Sequence, residues 1–266
     1  IGSTFVVNKP RTDTLKDGLV GYWSFDGPDM SQGTNNTWAL DRSGQGNNGR
    51  LANTATSSVR KVGKIGQALE FDGSDDRVNI GDNSILLPAQ KTYSVWINPR
   101  SITESLGTII DGFNGSANGV ALYICGSVSD SACVSPPANY STFAFEQEFT
   151  GNGGFWRAPT NTITFNQWQH IAVTYDRTST TNDPVLYYNG NLVAVTEVQT
   201  PTGTAETAIN LHGIGGSVTA GNSAFDGIID DVHIYNRALS ADEIKRLYKI
   251  GSTFVVNKPR TDTLKD

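Results

Sequence analysis

Apolar and polar residues alternate with a period of two through most of this chain, the pattern of strands buried on one face. In GLVGYWSFD (18–26) the alternation sets Leu19, Trp23 and Phe25 on one face. In KTYSVWINP (91–99) it sets Tyr93, Val95 and Ile97 on one face and Trp96 on the other. STFAFEQEF (141–149) groups Phe143, Phe145, Gln147 and Phe149, and FDGIIDDVHIYNRAL (225–239) groups Ile228, Asp230, Val232 and Ile234. ALEFDGSDDRVNIG, TIIDGF, GVALYICG and QWQHIAVTYD supply further strands. In PVLYYNGNLVAVT, Asn189-Gly190 between two apolar runs predicts a hairpin with a type I′ turn. The period lengthens to that of a helix only in LSADEIKRLYK (239–249). There Ser240 is the expected N-cap, Glu243 closes a capping box, and Leu239 and Ile244 stand as a hydrophobic staple. Many short strands separated by turn signals predict an all-β sandwich or barrel with one short C-terminal helix.

Composition agrees with tight turns and short strands. Only 17% of residues are charged, there are 28 glycines, and methionine occurs once. Residues 1–17 and 250–266 are the same segment, IGSTFVVNKPRTDTLKD, letter for letter. An exact repeat at domain-sized spacing predicts one period of a tandem array; the alternative is a duplicated joint left by cloning. The expected organisation is a linker at 1–17, one domain at 18–249, and a second linker copy at 250–266. Within the linker, STFVV has strand character, and Thr4, Phe5, Val6 and Val7 are candidates to dock on a neighbouring repeat by strand addition. One 249-residue period holds 17 basic and 24 acidic residues. An array of such units accumulates negative charge, which opposes nucleic-acid and anionic-membrane partners but favours cations. No apolar run approaches the ~18 residues that span a bilayer. Cys125 and Cys133, eight positions apart, predict a local disulfide and with it an extracellular or cell-surface setting; the alternative is two free thiols in a loop.

Seven motifs in order carry a resemblance: YWSFDG, DRSGQGNNG, ALEFDGSDDRVNIG, YSVWINP, QWQHIAVTYD, LYYNGNLV and FDGIIDDVHIYNRALSADEI. Together, over about residues 18–248, they resemble the LamG-like jelly-roll domains of the concanavalin A-like lectin/glucanase superfamily. The resemblance implies two antiparallel sheets packed face to face, with the first and last strands adjacent. It also implies a structural calcium ion where those strands meet. The matching positions that offer oxygens are Asp26, Asp41, Asn47, Asn48, Gly49 and Asp230. Asp230 stands out, because alternation turns it toward the side of Val232 and Ile234, where an unpaired carboxylate is costly. The alternative is that Asp26 and Asp41 cap turns and Asp230 accepts backbone N–H groups.

The stretch 101–165 departs from the family pattern, so the particular surface of this domain is expected there. Trp156 in the Gly-rich GNGGFWRAP is a candidate for stacking on a sugar ring, with Tyr123 and Tyr140 beside it, against a role at the edge of the core. Related glucanases pair carboxylates on a strand. Here Glu70, Asp72 and Asp75 lie in a family turn motif, while Glu146 and Glu148 share a strand face but lack the middle acid. His170, His212 and His233 have no zinc-ligand spacing. No nucleophile motif and no phosphate-cradling glycine loop occurs. The expectation is a non-catalytic repeat of a secreted or cell-surface fibre or adhesive stalk, with neighbouring copies as partners. The alternatives are a carbohydrate-binding module and, more distantly, a glycoside hydrolase.

Overall fold

The computed structural model describes residues 12–32, 37–53, 60–102, 106–113, 119–125, 133, 141–205, 212–217 and 223–252. In chain order the strands are β1 (Leu19–Trp23), β2 (Met30–Gln32), β3 (Thr37–Ala39), β4 (Gly49–Ala52), β5 (Arg60–Val62) and β6 (Gln67–Asp72). They continue as β7 (Arg77–Gly81), β8 (Gln90–Ser101), β9 (Leu106–Asp111), β10 (Val120–Cys125), β11 (Thr142–Gln147) and β12 (Gly154–Arg157). The last are β13 (Gln169–Asp176), β14 (Val185–Tyr188), β15 (Asn191–Val193), β16 (Thr196–Gln199), β17 (His212–Ile214) and β18 (Asp226–Tyr235), followed by α1 (Ala241–Ser252).

These strands form two antiparallel sheets. The eight-stranded sheet runs β15-β14-β13-β8-β18-β6-β5, with β1 also on β18. The ten-stranded sheet runs β16-β12-β11-β10-β9-β17-β7-β4-β3-β2. Alternation explains the layer between them. Tyr93, Val95 and Ile97 from β8 meet Val120, Leu122 and Ile124 from β10 and Phe143 and Phe145 from β11 in one apolar core. The jelly-roll sandwich expected from the motifs is the fold observed.

The local signals hold in detail. Asn189 and Gly190 both have positive φ, 49° and 74°, as a type I′ turn requires. Ser240 and Glu243 form the reciprocal capping box: the Glu243 amide donates to Ser240 Oγ at 3.3 Å, and the Ser240 amide to Glu243 Oε2 at 2.9 Å. Arg237 grips both oxygens of Glu243 and holds its carboxyl down at about 2. The staple pair Leu239 and Ile244 are buried together against Tyr235 on the outer face of the eight-stranded sheet.

In β1 and β18 a bulge breaks the simple alternation. β1 has a bulge between Leu19 and Gly21, so Val20 and Trp23 face the core while Leu19 packs outside with α1. β18 has a second bulge between Asp230 and His233, with Asp231 at φ 47°, a left-handed conformation that aspartate tolerates. Ile229, Val232 and Ile234 therefore form the core face, and Asp230 lies on the other side. The expectation that Asp230 shares a face with Val232 and Ile234 is corrected by this one extra residue, as is the grouping of Leu19 with Trp23.

The helix is also longer than its sequence signal. It takes in Ile250, Gly251 and Ser252, the first three residues of the second copy of the repeated segment. Gly251 lies so close to Trp96 that a Cβ there would come within 2.5 Å of the indole nitrogen. At the other end, Thr12–Leu15 of the first copy forms a turn of 3-10 helix. Leu15 joins the apolar cluster around Tyr235 and Leu247, and Arg237 donates to the carbonyls of Thr14 and Asp17 at 2.6 and 2.8 Å. Thr4, Phe5, Val6 and Val7 lie outside the described residues.

Candidate functional site

The β18 bulge falls where that strand changes partner. Residues 226–229 pair with β6, and residues 232–235 pair with β1. At this seam Asp230 and Asp231 have no continuous ladder beside them, and the loop 63–67 closes over the gap. Ile65 N–H donates to Asp230 Oδ2 at 2.9 Å, and Gln67 N–H to Asp26 Oδ1 at 2.7 Å. Glycines let the loop come this close. A Cβ on Gly63 would lie 2.5 Å from Asp230 Oδ2, and one on Gly66 2.0 Å from Asp26 Oδ1.

Beside the seam, the outer face of the eight-stranded sheet carries a cavity of about 550 Å³. Tyr22, Trp96, His170, Asp231, His233 and Tyr235 line it, with Ser94 at its floor. Leu15 and Lys16 border it from the first linker copy, and Leu247 and Ile250 from α1. The β1–β18 ladder sets Tyr22 and His233 opposite each other, and their rings stack at 4.1 Å. Trp96 stacks on Tyr248 of the helix at 5.5 Å.

The electrostatics of this region are costly. Asp230 is fully buried and Asp231 only 4% exposed. Asp230 Oδ1 and Asp231 Oδ2 have no hydrogen-bond partner among the described residues. Burial, then the charge of Asp231, pushes the Asp230 carboxyl up from its ordinary range. Burial likewise raises Asp231, opposed by a 2.7 Å hydrogen bond from Tyr22 Oη and reinforced by Asp26. His170 is pushed down to about 3 and His233 to about 4, chiefly by burial, so both rings are neutral. Ser94 Oγ lies 2.9 Å from His170 Nε2. The Nδ1 side of that ring has no partner among the described residues, so the carboxylate that orients a nucleophile's base is missing. Two buried carboxylates with spare oxygens are suited to a cation rather than to proton transfer.

The six positions proposed for calcium divide into two groups. Asp26 and Asp230 both accept from the 63–67 loop at the seam, beside Asp231, which alternation alone had not marked. Asp41, Asn47, Asn48 and Gly49 build a neighbouring turn. Asp41 accepts from Tyr22 N–H, Ser43 N–H, Ser43 Oγ and Asn47 N–H at 2.8 to 3.0 Å. Asn48 Oδ1 accepts the Asp41 amide, and Asn47 donates to the Val20 carbonyl and accepts from Asn83. Gly49 begins β4 with Val78 2.5 Å from where its Cβ would stand. The orphaned oxygens of Asp230 and Asp231 suit a hard cation such as calcium, which takes roughly six to eight oxygen ligands. Asp230 and Asp231 would supply ligands at the seam, while Asp26 does not close a three-carboxylate group with them; among the described residues the acids that gather that closely are Asp72, Asp75 and Asp76.

The sugar-stacking positions are corrected. Trp156 is fully buried between Phe145 and Tyr175, with Nε1 donating to Asp183 at 2.8 Å, so no ring face is open. Alternation along β12 turns it into the sandwich. Tyr123 is 1% exposed under a patch on the outer face of the ten-stranded sheet, formed with Ala121, Ala144, Phe155 and the Cys125–Cys133 disulfide. Tyr140 lies outside the described residues. Glu146 accepts from Tyr123 Oη, and Glu148 is buried against Gly153. Glu70 is paired with Lys61 and Arg100. Asp72 and Asp75 lie with Asp76 at one turn, where Asp72 accepts the Ser74 amide. His170 and His233, far apart in the chain, line one cavity; the side chain of His212 lies outside the described residues.

Two antiparallel sheets packed as a jelly roll define the class of the fold. The chain belongs to the concanavalin A-like lectin/glucanases superfamily, whose family model matches residues 72–245. No curated protein matches it. Among solved structures, it is similar to domain 4 of AbnA, a GH43 extracellular arabinanase from Geobacillus stearothermophilus, in complex with arabinotriose. That likeness has 20% identity and a TM-score of 0.57, and covers 86% of this chain and 98% of the other. The botulinum neurotoxin serotype G binding domain is similar at 16% identity and a TM-score of 0.59, over 88% of this chain and 51% of the other. The binding domain of botulinum neurotoxin DC in complex with SialylT matches at 15% identity and a TM-score of 0.52, over 89% of this chain. The chain spans about half the length of these toxin domains. At such identities the likeness is one of fold.

Proposed function

We propose that the chain is one period of a tandem array of non-catalytic binding domains working outside the cytoplasm, and that the duplicated segment is the joint between periods. The observation that carries this reading is how the segment's two ends are used. Its last residues, Thr12–Asp17, pack on their own domain beside α1, and its first three, Ile250–Ser252, are the end of that helix. One copy of the segment between two periods therefore has each end built into a different domain. The eight residues between, TFVVNKPR, form the connection, which spans at most about 30 Å. The Cys125–Cys133 disulfide supports an oxidising location. Hydrogen exchange on a two-period protein tests the joint. Protection of both ends with fast exchange of the TFVVNKPR stretch is the expected result. Fast exchange throughout all 17 residues would remove the reading. Protection of Thr4–Val7 only in the two-period protein would show strand docking between repeats.

Calcium belongs to this reading as a structural ion on the spare oxygens of Asp230 and Asp231, beside Asp26. It would neutralise the buried carboxylates and tie β1, β18 and the 63–67 loop together. A free concentration a hundredfold above the dissociation constant stabilises by about 2.7 kcal/mol. A melting temperature that neither rises with calcium nor falls with chelator would strike the ion from the account.

A second reading, carbohydrate binding, is favoured by the aromatic cavity and by sugar ligands bound to proteins of this fold. Its site is the cavity at Tyr22 and His233, not Trp156. A glycan array with binding abolished in Tyr22→Ala supports it, and an array without saturable binding rejects it.

A further inference from the structure

The space between the two sheets holds a lysine. Lys91 lies on the inward face of β8, in line with Tyr93 and Val95, opposite Tyr175 of β13, and is 0% exposed. Lysine is almost never fully buried unless paired with an opposite charge. Here the group that acts on its charge is a second cation, Arg177, whose own guanidinium is turned to the carbonyls of Leu87 and Pro88. Burial, reinforced by Arg177, holds the Lys91 amine well below its ordinary pKa. That shift favours the neutral form of the amine, whose lone pair is a nucleophile.

What faces that amine is a carboxamide from the other sheet. Lys91 Nζ donates in a very short contact to Oε1 of Gln147, which lies on the inward face of β11 and is also 0% exposed. Gln147 cannot turn away. Its Nε2 donates to the carbonyls of Gly119 at 2.9 Å and Glu148 at 3.2 Å, which keeps the carbonyl end of the amide toward Lys91. Phe145 and Tyr93, with ring centroids 6.3 Å apart, are part of the same dry interior. If the position served packing alone, a methionine would fill it without desolvating an amine.

We propose that Lys91 and Gln147 are joined by an intramolecular isopeptide bond that fastens the two sheets to each other. The Nζ lone pair adds to Cδ of Gln147, forming the new C–N bond. The bond from Cδ to Nε2 then breaks, one proton passes from Nζ to Nε2, and ammonia departs. One amide replaces another, so no oxidant, reductant or cofactor enters the balance. The bond closes the chain from 91 to 147 and crosses the core between β8 and β11. In a domain that carries load within an array, this tie keeps the sandwich from opening. The inference stands apart from the joint, the ion and the cavity.

Mass spectrometry of the full chain, denatured and with its disulfide reduced, tests the bond. The expected mass is lighter than the sequence by one ammonia, and digestion yields a branched peptide containing both Lys91 and Gln147. Lys91→Met and Gln147→Leu are expected at their full sequence masses and to melt below the parent. A parent at its full sequence mass overturns the proposal. So does ammonia loss without the branched peptide, because succinimide at an Asn-Gly pair such as 152–153 loses ammonia too. Neither outcome depends on whether the variants fold.

Discussion

The outer faces of the two sheets are built in opposite ways. On the ten-stranded sheet, Ala121, Tyr123, Ala144 and Phe155 meet the Cys125–Cys133 disulfide in a closed apolar patch. On the eight-stranded sheet, the same depth of burial is given to Asp230, Asp231 and His170, and each keeps a polar atom without a partner among the described residues. Such a group costs roughly 1–3 kcal/mol. A face that buries apolar atoms is already satisfied. A face that buries unpaired charge has a reason to bind something. The contrast moves the search for a ligand away from the stretch most unlike the family pattern and toward the seam between β1, β6 and β18.

The largest test of this contrast is Trp156→Ala. Truncating a tryptophan locked between Phe145 and Tyr175 is expected to cost about 3–5 kcal/mol in chemical denaturation. A variant that kept full stability and lost a ligand instead would return the site to the ten-stranded side. Next is the disulfide. Replacing Cys125 and Cys133 by serine removes the closure of a short loop, worth about 2–3 kcal/mol. The loss should leave hydrogen exchange at Tyr22 and His233 unchanged, and a matching change there would tie the two faces together.

The seam acids give the third test, and its direction is fixed by their pKa values. Both carboxyls are raised in the folded state, so their contribution is fully present at acid pH and is lost as they ionise. With chelator present, stability should fall as pH rises from the ordinary carboxylate range, near 4, through neutrality. Asp230→Asn should flatten that fall and, at pH about 8 with chelator, exceed the parent by on the order of 1 kcal/mol. Calcium should reverse the ranking. A flat parent profile would mean the carboxylates are not paying the expected desolvation cost. The smallest effect belongs to the helix that borders the cavity. Ser240→Ala should cost about 1 kcal/mol by urea titration, through loss of the capping box.

Much of this was legible in the chain. The strands, the Asn189-Gly190 turn and the capped helix follow from local pattern, because turn geometry and capping need only neighbours in sequence. The burial of Gln147 with Phe143 and Phe145 follows from alternation too. The site was harder to read. Tyr22 and His233, or His170 and Asp231, are distant in sequence, and nothing local says that they share a cavity. Trp156 misled because a Gly-rich setting suggests exposure, whereas its direction depends on which face of β12 meets the opposite sheet.

The sequence by itself determined the class of fold, the positions of turns and caps, and the identity of residues 1–17 with 250–266, since each is written in period, spacing or repetition. The tertiary structure decided where alternation slips. A bulge adds one residue to one strand of a pair, and it reverses every side chain beyond it. The bulge in β1 turns Leu19 outward, the bulge in β18 keeps Asp230 out of the core, and the partner change from β6 to β1 opens the seam beside them. That arrangement exists only once distant strands have paired, so no reading of one strand could contain it.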